Sequence, residues 1–110
     1  MSHPFHVYGA ALALVSALRP VLAQMKTQDR ALADQLRRAA SSVVLNIAEG
    51  NQRVGQDRLQ FFRIAAGSAA EVKAALEVAR VWGHLDASPA ADAELDRVLA
   101  MLWRLTHPRE

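Results

Sequence analysis

The sequence predicts an all-α fold, an antiparallel up-down-up-down four-helix bundle filling residues 1–110 as a single domain. Three observations lead there. Apolar side chains recur at alternating steps of three and four residues over four segments, the signature of a helix with one buried face. No stretch between those segments alternates apolar and polar as a strand would, and the joints are short, which favours neighbours that run antiparallel. A chain of 110 residues also has room for one self-sufficient core and not for two.

The first helix is read from Tyr8, Ala11, Leu12, Val15, Leu18, Leu22 and Met25, which form one stripe at 3.6 residues per turn. Pro20 lies inside it. Proline lacks an amide proton and crowds the preceding turn, so a kink is expected near Ser16 to Arg19, with Met25 to Gln28 as a connection. The second helix starts near Asp29 and turns Leu32, Leu36, Ala39, Ala40, Val43 and Ile47 inward. Gly50 is expected to close it in the left-handed conformation of a C-terminal cap, before a loop from Asn51 to Gly55.

Gly55 and Asp57 open the third helix, the aspartate sitting near its positive end. Its stripe is Phe62, Ala65, Ala69, Val72, Leu76, Ala79 and Gly83, a rhythm suited to bundle packing. After a turn from His84 to Ala87, Ser88 is placed to cap a fourth helix, with Pro89 at the first helical position, where a missing amide costs nothing. Leu95, Val98, Leu99, Leu102 and Leu105 give this helix its apolar face, and Pro108 ends it.

Composition narrows the chemistry. With 52% hydrophobic and 22% charged residues the chain is globular rather than disordered. Cysteine is absent, which removes disulfides, thiolate metal sites and cysteine nucleophiles. Val7 to Leu18 resembles the apolar region of a signal peptide, but no Lys or Arg precedes it and the run is too short to span a bilayer, so a cytoplasmic protein without a membrane segment is expected. The net charge of +2 is unevenly placed: residues 26–63 hold seven Lys and Arg against four Asp and Glu, while residues 84–110 are acidic. So small an excess permits an anionic partner without requiring one.

Two polar stripes stand beside the apolar ones. Ser42, Asn46 and Glu49 share a face of the second helix; Gly67, Ser68 and Glu71 share a face of the third. If the faces meet, Gly67 allows close approach and the polar groups form a network that fixes which helices pair.

The run from Gln35 through Arg37, Arg38 and Ser42, then Asn46-Ile-Ala-Glu-Gly50 with Arg53, then Phe62, Gly67-Ser68 and Glu71, closely resembles the signature of the 23S rRNA intervening-sequence proteins. Accessory proteins of diversity-generating retroelements are similar to the same group. The likeness is strongest from Leu32 to Gly83. It implies a four-helix bundle that assembles into a ring-like homo-oligomer, typically a pentamer, without established catalysis. The retroelement relatives are basic and bind nucleic acid and a reverse transcriptase; this chain departs from them in charge, and Val54 and Gly55 replace the serine that often caps the third helix.

The residues also bear on other site chemistries. A di-iron bundle needs Glu-x-x-His pairs, and the residues three after Glu49, Glu71, Glu77 and Glu94 are Gln52, Ala74, Arg80 and Arg97. Glu49 and Glu71 can be read as a paired acid/base site, but no nucleophile or phosphate-cradling loop accompanies them, so the structural network is preferred. His3 and His6 lack a third ligand, and His84 and His107 sit near helix ends, so no metal or other cofactor is assigned. Arg37, Arg38, Arg53, Arg58 and Arg63 are the nucleic-acid candidates, set against a solvated face of internal ion pairs. Phe61, Trp82 and Trp103 flank the core stripes as interface candidates or as caps on the bundle ends. The expectation is a non-catalytic homo-oligomeric scaffold or adaptor for a protein partner. The alternative is a nucleic-acid-binding accessory of a reverse transcriptase or structured RNA, and the third a small-molecule enzyme using Glu49 and Glu71.

Overall fold

The computed structural model describes residues 4–108 of the chain. Four helices follow one another: α1 Pro4–Gln28, α2 Arg30–Asn51, α3 Gly55–Val81 and α4 Pro89–Thr106, with no strand among the described residues. Each helix contacts its sequence neighbour, and α1 also meets α4, so the four surround one core. Gly50 lies against Phe62 and Ser42 against Ser68, so α2 and α3 run in opposite directions.

The inward faces of α2, α3 and α4 follow the sequence periodicity. Leu36, Val43 and Ile47 from α2, Phe62, Val72 and Leu76 from α3, and Leu95, Val98 and Leu102 from α4 are all buried. On α1 the stripe is rotated by about one position. Val7, Leu14 and Val21 are buried together with Ala11, Leu18 and Met25, whereas Tyr8 and Leu12 are exposed and Val15 and Leu22 only half-buried. The helix has apolar side chains on two adjacent flanks, and periodicity alone does not choose between them.

Joints differ from the sequence expectation in instructive ways. Residues 25–28 are helical rather than connecting, and a single residue, Asp29, separates α1 from α2. Its backbone is extended (φ −152°, ψ 91°) and its carboxylate accepts the Leu32 amide at 3.0 Å, satisfying one orphan donor of the new helix. The α1 helix continues unbroken through Pro20. The carbonyl left without a proline amide belongs to Ser16, which is exposed and open to water.

The capping role read for Gly50 is corrected by the structure. α2 continues to Asn51, and the positive-φ glycines are Gly55 and Gly83. Gly50 is instead a contact point: a Cβ there would fall 2.6 Å from a ring carbon of Phe62. Its buried position is a packing requirement, not a backbone one. The left-handed cap occurs at the end of α3, where Gly83 has φ +78°. There the His84 amide donates to the Ala79 carbonyl at 2.8 Å and the Gly83 amide to Arg80 at 3.0 Å, the paired bonds of a Schellman motif.

Val54 precedes α3 without a side-chain cap, and Gly55 takes φ +59° there. Pro89 opens α4 as expected, but the Ser88 hydroxyl donates to the Asp86 carbonyl instead of capping the helix.

Length does not exclude a membrane helix in the way the shorter Val7 to Leu18 run suggested, since His6–Gln28 spans 23 helical residues and is apolar enough to cross one. Its fully buried side chains, Leu14, Leu18 and Met25 among them, are packed into the bundle core.

Candidate functional site

The polar stripes of α2 and α3 do meet, at one point. The Ser42 and Ser68 hydroxyls share a hydrogen bond of 2.8 Å, and the Asn46 amide donates to the Ser42 hydroxyl at 3.0 Å and to its carbonyl at 2.9 Å. All three residues are half-buried, so each bond relieves a group partly withdrawn from water. Helix spacing explains the arrangement: positions 42 and 46 are one turn apart on α2, and Ser68 crosses at the level of the first.

Three members expected in this network lie outside it. Glu49 is exposed and pairs with Arg53 one turn on, at 3.1 Å. Glu71 is exposed as well, and because Gly50 faces Phe62, it stands nine residues farther along α3 than the level of Glu49's neighbour, about 13 Å at 1.5 Å per residue. The two carboxylates therefore form no acid/base pair within the chain. Gly67 permits no close approach either, since a Cβ there would meet nothing within 4 Å.

The five arginines are likewise divided. Arg37 and Arg38 both grip Asp34, at 2.9 and 2.7 Å. The Arg37 hydrogen bond is the main reason the Asp34 carboxyl is held below its ordinary value; burial opposes it and Arg38 assists. Arg53 lies 15 positions beyond Arg38, roughly 22 Å along the helix direction, and its guanidinium sits 5.0 Å from the Phe61 ring centre. Arg58 is half-buried and turns back onto the end of α2, donating to the carbonyls of Gly50 at 3.1 Å and Asn51 at 3.3 Å. It adds a charged donor to the last carbonyls of the helix, of which that of Gly50 also accepts the Arg53 amide at 3.0 Å. Arg63 is exposed, without an acidic partner among the described residues. The sequence suggested a patch; the structure shows two separate ends and one structural cap.

Phe61 is half-buried at the start of α3, while Trp82 is exposed at its far end, 21 residues or about 30 Å away. Trp103 is exposed near the end of α4, its ring stacked on His107 with centroids 4.2 Å apart. These aromatics do not form one patch. Among the described residues no three His, Asp or Glu side chains come together, and His3, considered with His6 as a chelating pair, lies outside the described residues.

A feature that core-directed periodicity passed over lies on the outside of α3. Ile64, Gly67, Glu71, Ala74, Val78 and Val81 repeat at steps of three, four, three, four and three, parallel to the buried series Phe62, Ala65, Ala69, Val72, Leu76 and Ala79. The helix thus carries two seams. The bundle uses one, leaving Ile64 42%, Val78 43% and Val81 88% exposed on the other. The signal was present in the sequence as a second 3-4 rhythm one helix flank away.

Comparison with known proteins agrees with this architecture. A crystal structure of a protein of unknown function from the S23 ribosomal protein family of Bacteroides thetaiotaomicron superposes with a TM-score of 0.83 at 16% identity, covering 93% of this chain and 99% of that one. At that identity the likeness shows a shared fold. No curated protein matches the chain. Residues 4–104 match the family described as 23S rRNA-intervening sequence protein, and the chain belongs to that family.

Proposed function

We propose that the protein is a non-catalytic scaffold or adaptor, an up-down-up-down bundle that associates with copies of itself through the outer face of α3. The observation that carries this reading is the second seam. A 3-4 repeat of apolar and small residues is the pattern that seats one helix against another, and the seam at Ile64, Gly67, Ala74, Val78 and Val81 has no helix of its own chain upon it. Leu45 on α2, 65% exposed, adds apolar surface that a lone bundle leaves in water. Five subunits is the number suggested by the family resemblance, and a cytoplasmic location without a membrane segment fits a helix whose Leu14, Leu18 and Met25 side chains enter the core.

Light scattering tests it. The expected result is a mass several times the 12.0 kDa of the chain, retained at high salt because apolar contacts are little screened. Ile64→Lys with Val78→Lys is expected to yield the monomer with unchanged helicity. A monomeric parent protein refutes the reading.

The second reading is a nucleic-acid-binding accessory protein acting with a reverse transcriptase or structured RNA. Its support is the exposed Arg63 and the 23S rRNA in the family's description; against it stands the separation of the arginines. A steep loss of RNA binding with salt would favour it. The third, a small-molecule enzyme using Glu49 and Glu71, has the distance between those groups against it.

A further inference from the structure

One cleft on the protein is unrelated to either seam of α3. It opens where α1 passes into α2, encloses about 670 Å³, and is lined by Lys26, Arg30 and Arg37 around an apolar floor that includes Leu22 and Ala33. The connection explains why these groups meet. With only Asp29 between the helices, the last turn of α1 and the first turns of α2 stand side by side, so Lys26 from one and Arg30 and Arg37 from the other share one concavity.

Charge within the cleft is unbalanced. The acid on its wall is Asp34, which is occupied by both Arg37 and Arg38. Lys26 and Arg30 have no acidic partner among the described residues. Asp29, the nearest acid in sequence, is committed to capping α2 and faces His84 at 3.8 Å. Two unpaired cations beside a third whose guanidinium keeps free N–H donors are suited to an anion with several oxygens. A phosphate monoester carries up to two charges and presents three such oxygens, and guanidinium binds them in a fork. The apolar floor gives the remainder of the ligand a surface to cover.

We propose that this cleft binds a small organic phosphate, its phosphoryl group between Lys26, Arg30 and Arg37 and its organic part against Leu22 and Ala33. Asp34 sets the orientation: it holds Arg37 in place and repels the anion from its own end of the cleft, toward Lys26 and Arg30. An extended nucleic-acid strand is disfavoured because it would need cations in a track, and Arg53 and Arg63 lie toward the other end of the bundle. The site is independent of subunit number and of the α3 seam.

Calorimetric titration of the full chain with adenosine 5′-monophosphate, ribose 5-phosphate, adenosine and a short single-stranded RNA tests the assignment. Saturable binding of the two phosphates, with none by adenosine, is expected. Lys26→Gln combined with Arg30→Gln should weaken it by about tenfold or more, since each charge-assisted bond is of that order, while Arg63→Gln leaves it unchanged. Amide chemical-shift mapping on the parent protein, which needs no variant, should place the perturbed residues at Leu22, Ala31 and Ala33. Absence of binding at millimolar phosphate, equal affinity in the double variant, shifts confined to another face, or binding of RNA alone would each overturn the proposal.

Discussion

Replacing Gly50 with alanine separates a packing glycine from a capping one. The added methyl would lie 2.6 and 2.8 Å from two ring carbons of Phe62 and 3.3 Å from the Phe61 Cβ. Phe62 is 2% exposed, so its ring has little free space into which to turn. Overpacking of this kind costs about 1–3 kcal/mol. Because the contact is shorter than 3.0 Å and the ring is buried, the upper part of that range applies, about 2–3 kcal/mol; alanine within a helix returns about 1 kcal/mol relative to glycine, which leaves a net loss of about 1–2 kcal/mol. For a domain of this size the corresponding fall in melting temperature is about 5–10 °C, measured by circular dichroism at a fixed protein concentration. Gly67→Ala is the matched control, because its methyl meets nothing within 4 Å, and it should stabilise the isolated bundle by about 0.5–1 kcal/mol. The loss at Gly50 should also shrink in a Phe62→Leu background, where the ring is gone. A Gly50→Ala protein as stable as the parent would refute the argument.

Arg58→Ala should cost about 1–3 kcal/mol in urea unfolding, because two carbonyls at the end of α2 lose a charged donor, and Arg58→Lys should restore only part of it. Ser42→Ala removes the partner of the Ser68 hydroxyl and leaves the Asn46 amide only the Ser42 carbonyl, and should cost about 1 kcal/mol, whereas the Ser42→Ala, Ser68→Ala pair should be less than additive. Asp34 is held below its ordinary carboxyl pKa of 3.8 by Arg37, so its contribution to stability is present above that value and lost as pH falls through the lower folded-state value. Asp34→Asn should therefore flatten the acid limb of a stability-against-pH curve; an unchanged limb would show that the pairing does not contribute.

How far the sequence led varies with the physics of each element. Where one flank of a helix is apolar and the other charged, as on α2 and α4, the buried positions were legible almost residue by residue. On α1 both flanks are apolar, and the choice of Val7, Leu14 and Val21 over Tyr8 and Leu12 is made by the neighbouring helices. Gly50 illustrates a different limit: glycine serves both at left-handed caps and at close contacts, and only the ring lying against it distinguishes the two. The Ser42 and Ser68 meeting was readable because both fall on predictable helix faces, whereas the separation of Glu49 from Glu71 depends on how far α2 and α3 slide along each other. The arginines do not form one group, because adjacency around a loop is not adjacency in space.

The spacing of the joints bears on how the chain reaches this state. One residue separates α1 from α2 and seven separate α3 from α4, so consecutive helices meet after closing only small loops. The exception is α1 against α4, whose contact must gather in nearly the whole chain. Loop entropy therefore makes the three hairpin contacts the quick events and the α1 to α4 seam the slow one. Pulsed hydrogen exchange during refolding should find α2 and α3 protected first, and the same seam should be the earliest to open when the folded protein fluctuates.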